Sequence, residues 1–155
     1  MNGSVAAMDI TVRRATASDV DALLPLVRAY RVFYEQTPDA PGERRFIGKH
    51  LREATSTIFF ASDGTRALGF VQIFESWSTV RLAPMLILED LFVEPSARGR
   101  GIARALIDAA IAYAREAGAG GMFLETAVSN ERAQQVYERA GWERERAFVK
   151  FNAPL

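Results

Sequence analysis

Apolar and polar residues alternate in several short stretches of the chain, and each stretch predicts a β-strand. Ile10 and Val12 alternate with polar neighbours, which predicts a first strand over Asp9–Thr16. The same pattern, or a short apolar run, predicts further strands at Ser56–Asp63, Arg66–Trp77, Ala83–Pro95, Gly121–Ser129 and Trp142–Phe151. The turn residues Asp63–Thr65 separate two of these strands, which therefore form an antiparallel hairpin.

In other stretches, apolar residues recur every three to four positions, which is the period of an amphipathic helix. The first helix follows Ser18, and Asp21 three residues later nearly completes a capping box. Pro25 lies inside this helix and is expected to kink or shorten it. After a loop at Thr37–Glu43, the pattern predicts further helices at Glu43–Ala54, between Ala97 and Gly118, and at Asn130–Gly141, where Asn130 or Ser129 is the N-cap.

The predicted elements follow the order β-α-α-β-β-β-α-β-α-β. Strand–helix–strand alternation in the second half predicts a parallel pair joined by a crossover helix, whereas the middle strands look antiparallel. This combination predicts one mixed sheet in a single α/β domain over residues 9–155, a length that suits one domain. Residues 1–8, MNGSVAAM, have neither the charged nor the long apolar segment of a secretory signal, so they are predicted to be a disordered leader.

Composition excludes several classes of function. Lys plus Arg and Asp plus Glu each number 19, and the resulting zero net charge argues against a broad nucleic-acid interface. The chain has no cysteine, which excludes thiol catalysis and cysteine metal sites and fits the reducing cytoplasm. A single histidine, His50, argues against a Ser-His-Asp triad or a multi-histidine metal site, and it is expected on a helix surface. No apolar run approaches the ~20 residues that span a membrane.

The stretch ARGRGIARALIDAAIAYAREAG begins as a basic loop with two glycines and becomes a helix. The first turn of a helix offers unpaired N–H groups, and Gly99 and Gly101 let an anion approach the backbone. A Walker A loop needs Gly-Lys-Ser/Thr, which is absent, and a dinucleotide-binding fingerprint would need glycine at Arg104. From these residues alone, a phosphate site, an arginine-glycine patch for nucleic acid and a plain turn all remain open.

The surrounding residues resemble the GNAT family of N-acetyltransferases. Arg98-x-x-Gly101-x-Ala103 matches the family's Arg/Gln-x-x-Gly-x-Gly/Ala signature, within the context LEDLFVEPSARGRGIARALI. The later stretch NERAQQVYERAGW matches as well, and the likeness runs from Asp9 to the C-terminus. The resemblance implies the acyl-CoA N-acyltransferase fold, with a mostly antiparallel sheet of six to seven strands and helices on both faces. It also suggests the branch of the family that acts on small amines, amino acids, polyamines or histone tails.

The resemblance further implies acetyl-CoA as the donor substrate, with no metal. Backbone amides between Arg100 and Arg104 would bind the pyrophosphate, and the strand ending Leu91–Val93 would pair with the pantetheine arm. The full set implied for acetyl-CoA binding is Leu91, Phe92, Val93, Arg98, Gly99, Arg100, Gly101, Ile102, Ala103, Arg104, Asn130, Ala133 and Tyr137.

Acetyl transfer to an amine needs a group that removes the amine's proton, because a lysine-type amine has a pKa of ~10.4. Glu89 and Asp90 are the candidates, since both interrupt an apolar strand. Neighbouring strand residues face opposite sides unless a bulge turns one of them, and both carboxylates could instead be solvated or paired with arginines. The resemblance implies that Glu89 is the base and that Tyr137, which its spacing alone would place in the core, is the acid. A backbone N–H near Phe92 or Val93 would stabilise the oxyanion.

The resemblance implies that the acceptor site lies between the first helices, the middle hairpin and the strand of Glu89. Its candidate residues are Tyr30, Phe33, Tyr34, Glu75, Trp77 and Glu89, although each also fits the core or a solvated surface. Aromatic rings beside carboxylates suit a cationic or amphipathic amine. The resemblance thus implies a homodimeric N-acetyltransferase that acetylates a primary amine of a small molecule or peptide by direct attack in a ternary complex. The alternative is a non-catalytic acyl-CoA-binding domain of the same fold. The absence of cysteine fits a cytoplasmic location.

Overall fold

The computed structural model describes residues 9–155 and contains one five-stranded sheet in the order β1-β2-β3-β4-β5. The strands are β1 Thr11–Arg14, β2 Thr57–Ser62, β3 Ala67–Ser78, β4 Ala83–Val93 and β5 Gly121–Phe123. The first four pair antiparallel with their neighbours, and β5 pairs parallel with β4. The predicted mixed, mostly antiparallel sheet is therefore confirmed, with five strands among the described residues rather than six to seven.

Four α-helices accompany the strands: α1 Val20–Phe33, α2 Ala40–Glu53, α3 Ile102–Glu116 and α4 Glu131–Arg139. Short 3-10 turns precede α1 and α3, at Ala17–Asp19 and Pro95–Ala97. Helix α3 connects the parallel strands β4 and β5, as the crossover prediction requires. It ends beside Gly118, whose φ of 66° is the left-handed conformation expected after a helix C-terminus.

Two prolines affect the helices less than the sequence suggests. Pro25 does not shorten α1, which continues to Phe33. Helix α2 begins at Ala40 rather than Glu43, because the Asp39 carboxylate accepts a hydrogen bond from the Gly42 backbone N–H at 3.0 Å. Pro41 lies in the first turn of α2, where its missing N–H leaves no helical bond unmade.

The helices of the first 125 residues cover both faces of the sheet. On one face, Leu23 of α1 and Ile47 of α2 pack with Phe60 and Phe70 in a buried cluster. On the opposite face, α3 buries Leu106, Ile107 and Ala110, and its Tyr113 ring contacts Phe59 of β2. Among the described residues, no helix combines the length and apolar character needed to cross a membrane.

The chain divides into two compact units, of which the first runs to Glu125 and the second covers Thr126–Leu155. The prediction of a single domain over residues 9–155 stays a prediction, and the leader predicted at residues 1–8 lies outside the described residues. In the second unit, Asn130 is the N-cap of α4, as predicted, and its side chain accepts from the Ala133 N–H at 3.2 Å.

The strand predicted at Trp142–Phe151 is wrong, because these residues form no strand. Four consecutive charged residues, Glu143–Arg146, leave this part of the segment without an apolar face. The Glu145 carboxylate also accepts the backbone N–H groups of Arg146 and Ala147, a local arrangement that competes with strand pairing. Strand β5 is likewise shorter than the predicted Gly121–Ser129.

Candidate active site

The loop between β4 and α3 presents backbone amides at the start of a helix. Gly99 and Gly101 have φ angles of 76° and 77°, a left-handed conformation that other residues adopt only with strain. A Cβ built on either glycine meets no atom within 4 Å, so glycine is required here for its conformation rather than for space. Gly101 is the N-cap of α3, and no side chain caps the first turn. These N–H groups suit an anion such as a pyrophosphate.

The arginines of this loop have different surroundings. The Arg98 Nε donates to the Val93 carbonyl oxygen at 3.0 Å, and its guanidinium carbon lies 5.8 Å from the centre of the Phe92 ring. The Arg104 Nε donates to Asp108 on the same helix at 2.9 Å. Arg100 is exposed at the loop surface. The loop is therefore tied to the end of β4 through Arg98.

Gly69 of β3 allows the end of β4 and the start of α3 to approach each other. A Cβ at this position would lie 2.8 Å from the Phe92 carbonyl oxygen and 3.3 Å from the Ile102 Cγ2 atom. Contacts that short require the backbone to move. The sequence reasoning did not select Gly69, although a glycine within an apolar strand is a recognised sign of close backbone approach.

Strand β4 is open toward β5 next to the predicted pantetheine-binding residues. Among residues up to Glu125, β5 pairs with β4 only at Met85–Ile87, so Leu91–Val93 have no partner on that side. On the other side, these residues pair regularly with β3. This edge has no neighbouring strand, although the Val93 carbonyl oxygen accepts from Arg98. It can therefore accept an extended amide-containing chain by β-type hydrogen bonding at its remaining backbone groups.

A bulge in β4 changes the direction of its two carboxylates. Gln72 of β3 pairs with Asp90, and the next residue, Ile73, pairs with Leu88, which leaves Glu89 as an extra residue. Paired residues share a face of the sheet, whereas consecutive residues of β3 do not. Asp90 therefore shares the face of Gln72, which a regular β4 strand would have assigned to Glu89. The sequence raised this possibility but could not locate the bulge.

Asp90 lies on the face covered by α1, where its side chain hydrogen-bonds to the Tyr30 hydroxyl. Burial raises the pKa of Asp90 to about 6, the hydrogen bond from Tyr30 lowers it, and the charge of Glu89 raises it further. Glu89 itself is exposed. A carboxylate with a pKa near neutrality is matched to proton transfer at physiological pH.

Tyr30 is held between the helix and the sheet by aromatic contacts. Its ring centre lies 5.9 Å from that of Phe70 and 5.8 Å from that of Phe92. The Tyr34 ring is 5.0 Å away, and the two hydroxyls are hydrogen-bonded. Burial and the neighbouring Asp90 charge keep the pKa of Tyr30 well above its ordinary value, so it remains a hydrogen-bond donor. Phe33 extends this cluster with a ring contact to Tyr34.

The structure places the other two predicted acceptor residues elsewhere. Glu75 and Trp77 contact each other, with the Trp77 Nε1 donating to the Glu75 carboxylate at 2.8 Å. Glu75 borders a cavity of about 270 Å³ that Tyr113 of α3 also lines. In β3, both residues alternate with Gln72 and Phe74, so they face away from Tyr30. Their role in acceptor binding stays a prediction.

The rings of Phe46, His50 and Phe74 contact one another, and none of them was predicted from the sequence to be a site residue. His50 of α2 lies between Phe46 and Phe74, with ring-centre distances of 4.4 Å and 5.1 Å. It is half-buried, not on the open helix surface, and burial lowers its pKa. The i, i+4 spacing of Phe46 and His50 was the available signal.

In the second unit, the predicted functional residues lie on one side of α4. Asn130 uses its side-chain oxygen to cap the helix, while Ala133 and Tyr137 follow at positions four residues apart. The Tyr137 ring is half-buried and lies 5.9 Å from the Trp142 ring.

The first compact unit thus brings together a helix start with exposed backbone amides, an adjoining open strand edge and a strand bulge that carries two carboxylates. The chain belongs to the acetyltransferase (GNAT) family, whose model matches residues 23–142. It is an N-acetyltransferase, and the family takes its acetyl group from acetyl-CoA. The family assignment that the sequence motifs suggested is thereby confirmed.

Individual relatives agree with this assignment. The uncharacterized N-acetyltransferase YhfO of Bacillus subtilis (strain 168) is 36% identical over 142 residues, which are 92% of this chain and 95% of that protein. A crystal structure of a probable acetyltransferase superposes with a TM-score of 0.89 at 36% identity and covers 94% of this chain and 97% of its own. The aminoglycoside N-acetyltransferase AAC(6')-Iy in complex with CoA shares the fold, with a TM-score of 0.81 at 20% identity, and covers 95% and 96% of the two chains.

Proposed function

We propose that this enzyme transfers the acetyl group of acetyl-CoA directly to a primary amine of a small molecule or peptide in a ternary complex. The observation that carries the proposal is the β4 bulge, which brings Asp90, with its pKa of about 6, to the face of Tyr30 and next to exposed Glu89. An amine that attacks a thioester must first lose a proton, and this pair of carboxylates supplies both an attraction for the ammonium and an acceptor for the proton.

The donor half of the proposal uses three parts of the chain. Backbone amides from Arg100 to Arg104 bind the pyrophosphate, and the open edge at Leu91–Val93 pairs with the pantetheine arm. Asn130 contacts the same arm through its side-chain nitrogen, since its oxygen already caps α4. When bound, acetyl-CoA supplies the thioester carbonyl that the amine attacks, and the Phe92 or Val93 N–H stabilises the oxyanion.

The two carboxylates have separate roles in this proposal. Asp90 accepts the proton, because its buried carboxylate is about nine-tenths ionised at pH 7 with a pKa near 6 and still binds a proton readily. Glu89, exposed at the bulge, attracts the cationic amine. Tyr137 donates its hydroxyl proton to the leaving thiolate.

A thermal shift assay with two glycine variants tests donor binding. Acetyl-CoA should raise the melting temperature of the wild-type protein, because a ligand that binds only the folded state stabilises it. Gly101→Ala should weaken this shift, since alanine disfavours the φ of 77°. Gly64, in the β2–β3 turn, has a φ of 88° and equally open surroundings. Gly64→Ala should therefore lose similar stability but keep the full shift.

Turnover then tests the transfer itself. Release of CoA thiol should require an added amine, and Tyr137→Phe should keep the acetyl-CoA shift while lowering kcat roughly 100-fold. If acetyl-CoA raises the melting temperature but no amine causes release of CoA thiol, the proposed transfer is rejected and the protein is an acyl-CoA-binding domain.

Three wider expectations accompany this function. We propose that residues 9–155 act as one domain, because the family match spans both compact units. We propose a homodimer, supported by a C-terminal segment in which Phe148 and Phe151 are 80% and 90% exposed. Sedimentation of the protein with and without residues 147–155 tests the dimer. The absence of cysteine supports a location in the cytoplasm.

A further inference from the structure

Beyond the bulge, the sheet face that carries Asp90 continues into a row of apolar side chains. Phe74 lies two residues after Gln72 in β3 and pairs with Ile87 of β4. Ile87 in turn pairs with Phe123 of β5. Because paired residues share a face, the three side chains form a row across three strands. We call Phe74, Ile87 and Phe123 the apolar row.

Helix α2 extends the apolar row with two more rings. The His50 ring stacks edge-on to Phe74, and Phe46 stacks edge-on to His50. Burial and the charge of Lys49 lower the pKa of His50, so this ring is largely neutral at pH 7. Its Nδ1 lies 2.6 Å from the Thr55 hydroxyl oxygen, which fixes the ring in place. Of the five side chains that form this surface, none is an acid, a lysine or an arginine.

Parts of this surface are accessible although they are strongly apolar. Phe46 is 50% exposed and Phe123 is 44% exposed. Large apolar side chains gain free energy when a ligand covers them. Ile87 precedes Glu89 by two residues, so at the strand rise of about 3.3 Å per residue their backbones are roughly 7 Å apart. That separation is spanned by a short alkyl chain.

We propose that the apolar row, with Phe46 and His50, is a subsite for a flat apolar group carried by the acceptor, so that the preferred acceptors are arylalkylamines. This inference rests on the proposed acetylation of an amine at the β4 bulge. The nitrogen lies at Glu89 and Asp90, and the aromatic ring packs against Phe74 and Phe123. A polyhydroxylated polycation would find few hydrogen-bond partners on this surface.

Acceptor kinetics provide the direct test, with 3-phenylpropylamine compared with propylamine. Three methylene groups separate the ring from the nitrogen, so the two amines have similar basicity. We expect kcat/KM for 3-phenylpropylamine to be higher by about tenfold or more, the gain expected from covering a ring. Equal values for the two amines, or a higher value for the aminoglycoside kanamycin, would overturn the proposal.

Two variants locate the effect. Phe46→Ala and Phe123→Ala change side chains that are already half-exposed, and each should lower kcat/KM for 3-phenylpropylamine about 3- to 10-fold while leaving propylamine unchanged. Val80→Ala, at the exposed end of the β3–β4 hairpin, is the matched control and should change neither value. Equal losses for both amines in the phenylalanine variants would contradict a subsite for the ring.

Calorimetric binding of each amine to the CoA-loaded protein separates this inference from the proposed function. Tighter binding of 3-phenylpropylamine that Phe123→Ala abolishes supports the subsite even if no acetyl transfer occurs. Conversely, if both amines are acetylated and bind with equal affinity, the proposed function stands and the proposed subsite is rejected.

Discussion

Asp19, before α1, and Asp90, in the β4 bulge, are two carboxylates removed from most of the solvent, and their surroundings differ. The Asp19 carboxylate accepts two hydrogen bonds from Arg13, at 2.7 Å and 2.9 Å, and a third from the Thr16 backbone N–H at 2.8 Å. The hydrogen bonds from Arg13 lower the pKa of Asp19 to about 2 despite burial. Asp90 has a tyrosine hydroxyl and a second carboxylate nearby, and its pKa is raised to about 6.

The difference separates a carboxylate that stabilises the fold from one suited to chemistry. A group whose folded pKa is lowered stabilises the protein above its unfolded pKa, and that stability is lost as pH falls through the folded pKa. A carboxylate with a raised pKa has the opposite effect, because its ionised form is disfavoured in the folded state. Asp90 therefore costs stability above pH 6, and we infer that proton transfer is the reason for its position.

Replacing Asp90 by asparagine should give the largest change in activity. We expect Asp90→Asn to lower kcat/KM at least 100-fold. The rise of kcat/KM with pH near pH 6 should also disappear. The melting temperature at pH 8 should stay the same or rise, because a disfavoured charge is removed. Asp21→Asn, at an exposed aspartate that pairs with Arg44, is the control and should preserve activity. If Asp90→Asn keeps wild-type turnover, Asp90 has no catalytic role that distinguishes it from Asp19.

The corresponding change at Asp19 should affect stability instead. Asp19→Asn removes the charge that binds Arg13 and should lower the free energy of unfolding at pH 7 by about 1–2 kcal/mol. In the wild-type protein, this contribution should be lost as pH falls from about 4 to about 2. Urea denaturation at several pH values measures both effects. The folded variant should retain its kcat, and a large loss of kcat would show that Asp19 also serves the site.

Removing the Tyr30 hydroxyl should raise the pKa of Asp90 and so widen its difference from the pKa of Asp19. The hydrogen bond from Tyr30 lowers the pKa of Asp90, so Tyr30→Phe should shift the rising limb of kcat/KM to higher pH. At pH 6–7 the activity should fall several-fold, and it should approach the wild-type value near pH 9. Tyr113→Phe, on the opposite sheet face, is the control. A uniform loss at every pH would indicate a structural role only.

The smallest effect is expected from Glu89→Gln. The charge of Glu89 raises the pKa of Asp90, so its removal should shift the limb slightly to lower pH and raise the KM for a cationic amine a few-fold. Glu116→Gln, near the end of α3, should change neither quantity. If Glu89→Gln instead abolishes the rise of kcat/KM with pH, then Glu89 is the base that accepts the proton from the amine and Asp90 is not.

Local features of the sequence were enough to predict the structural elements on which the proposed donor site depends. The two glycines and the helix after them, the Asn130 cap and the strand before the loop depend on residues close together in the chain. Backbone conformation and capping are decided within a few residues, so their patterns survive without knowledge of the fold. The prediction of a last strand was wrong because strand formation depends on a distant partner. Residues Trp142–Phe151 pair with no strand among the described residues.

The sequence by itself determined the family, the crossover helix, the glycine-containing loop before it and the presence of two carboxylates in β4. Only the tertiary structure decided which face Asp90 occupies, since the bulge exists in the register between β3 and β4 and not in either strand alone. It also decided that Tyr30 reaches Asp90, while Glu75 and Trp77 turn to the other face. A pKa depends on burial and on neighbours distant in sequence, and the packing of α1 on the sheet supplies both.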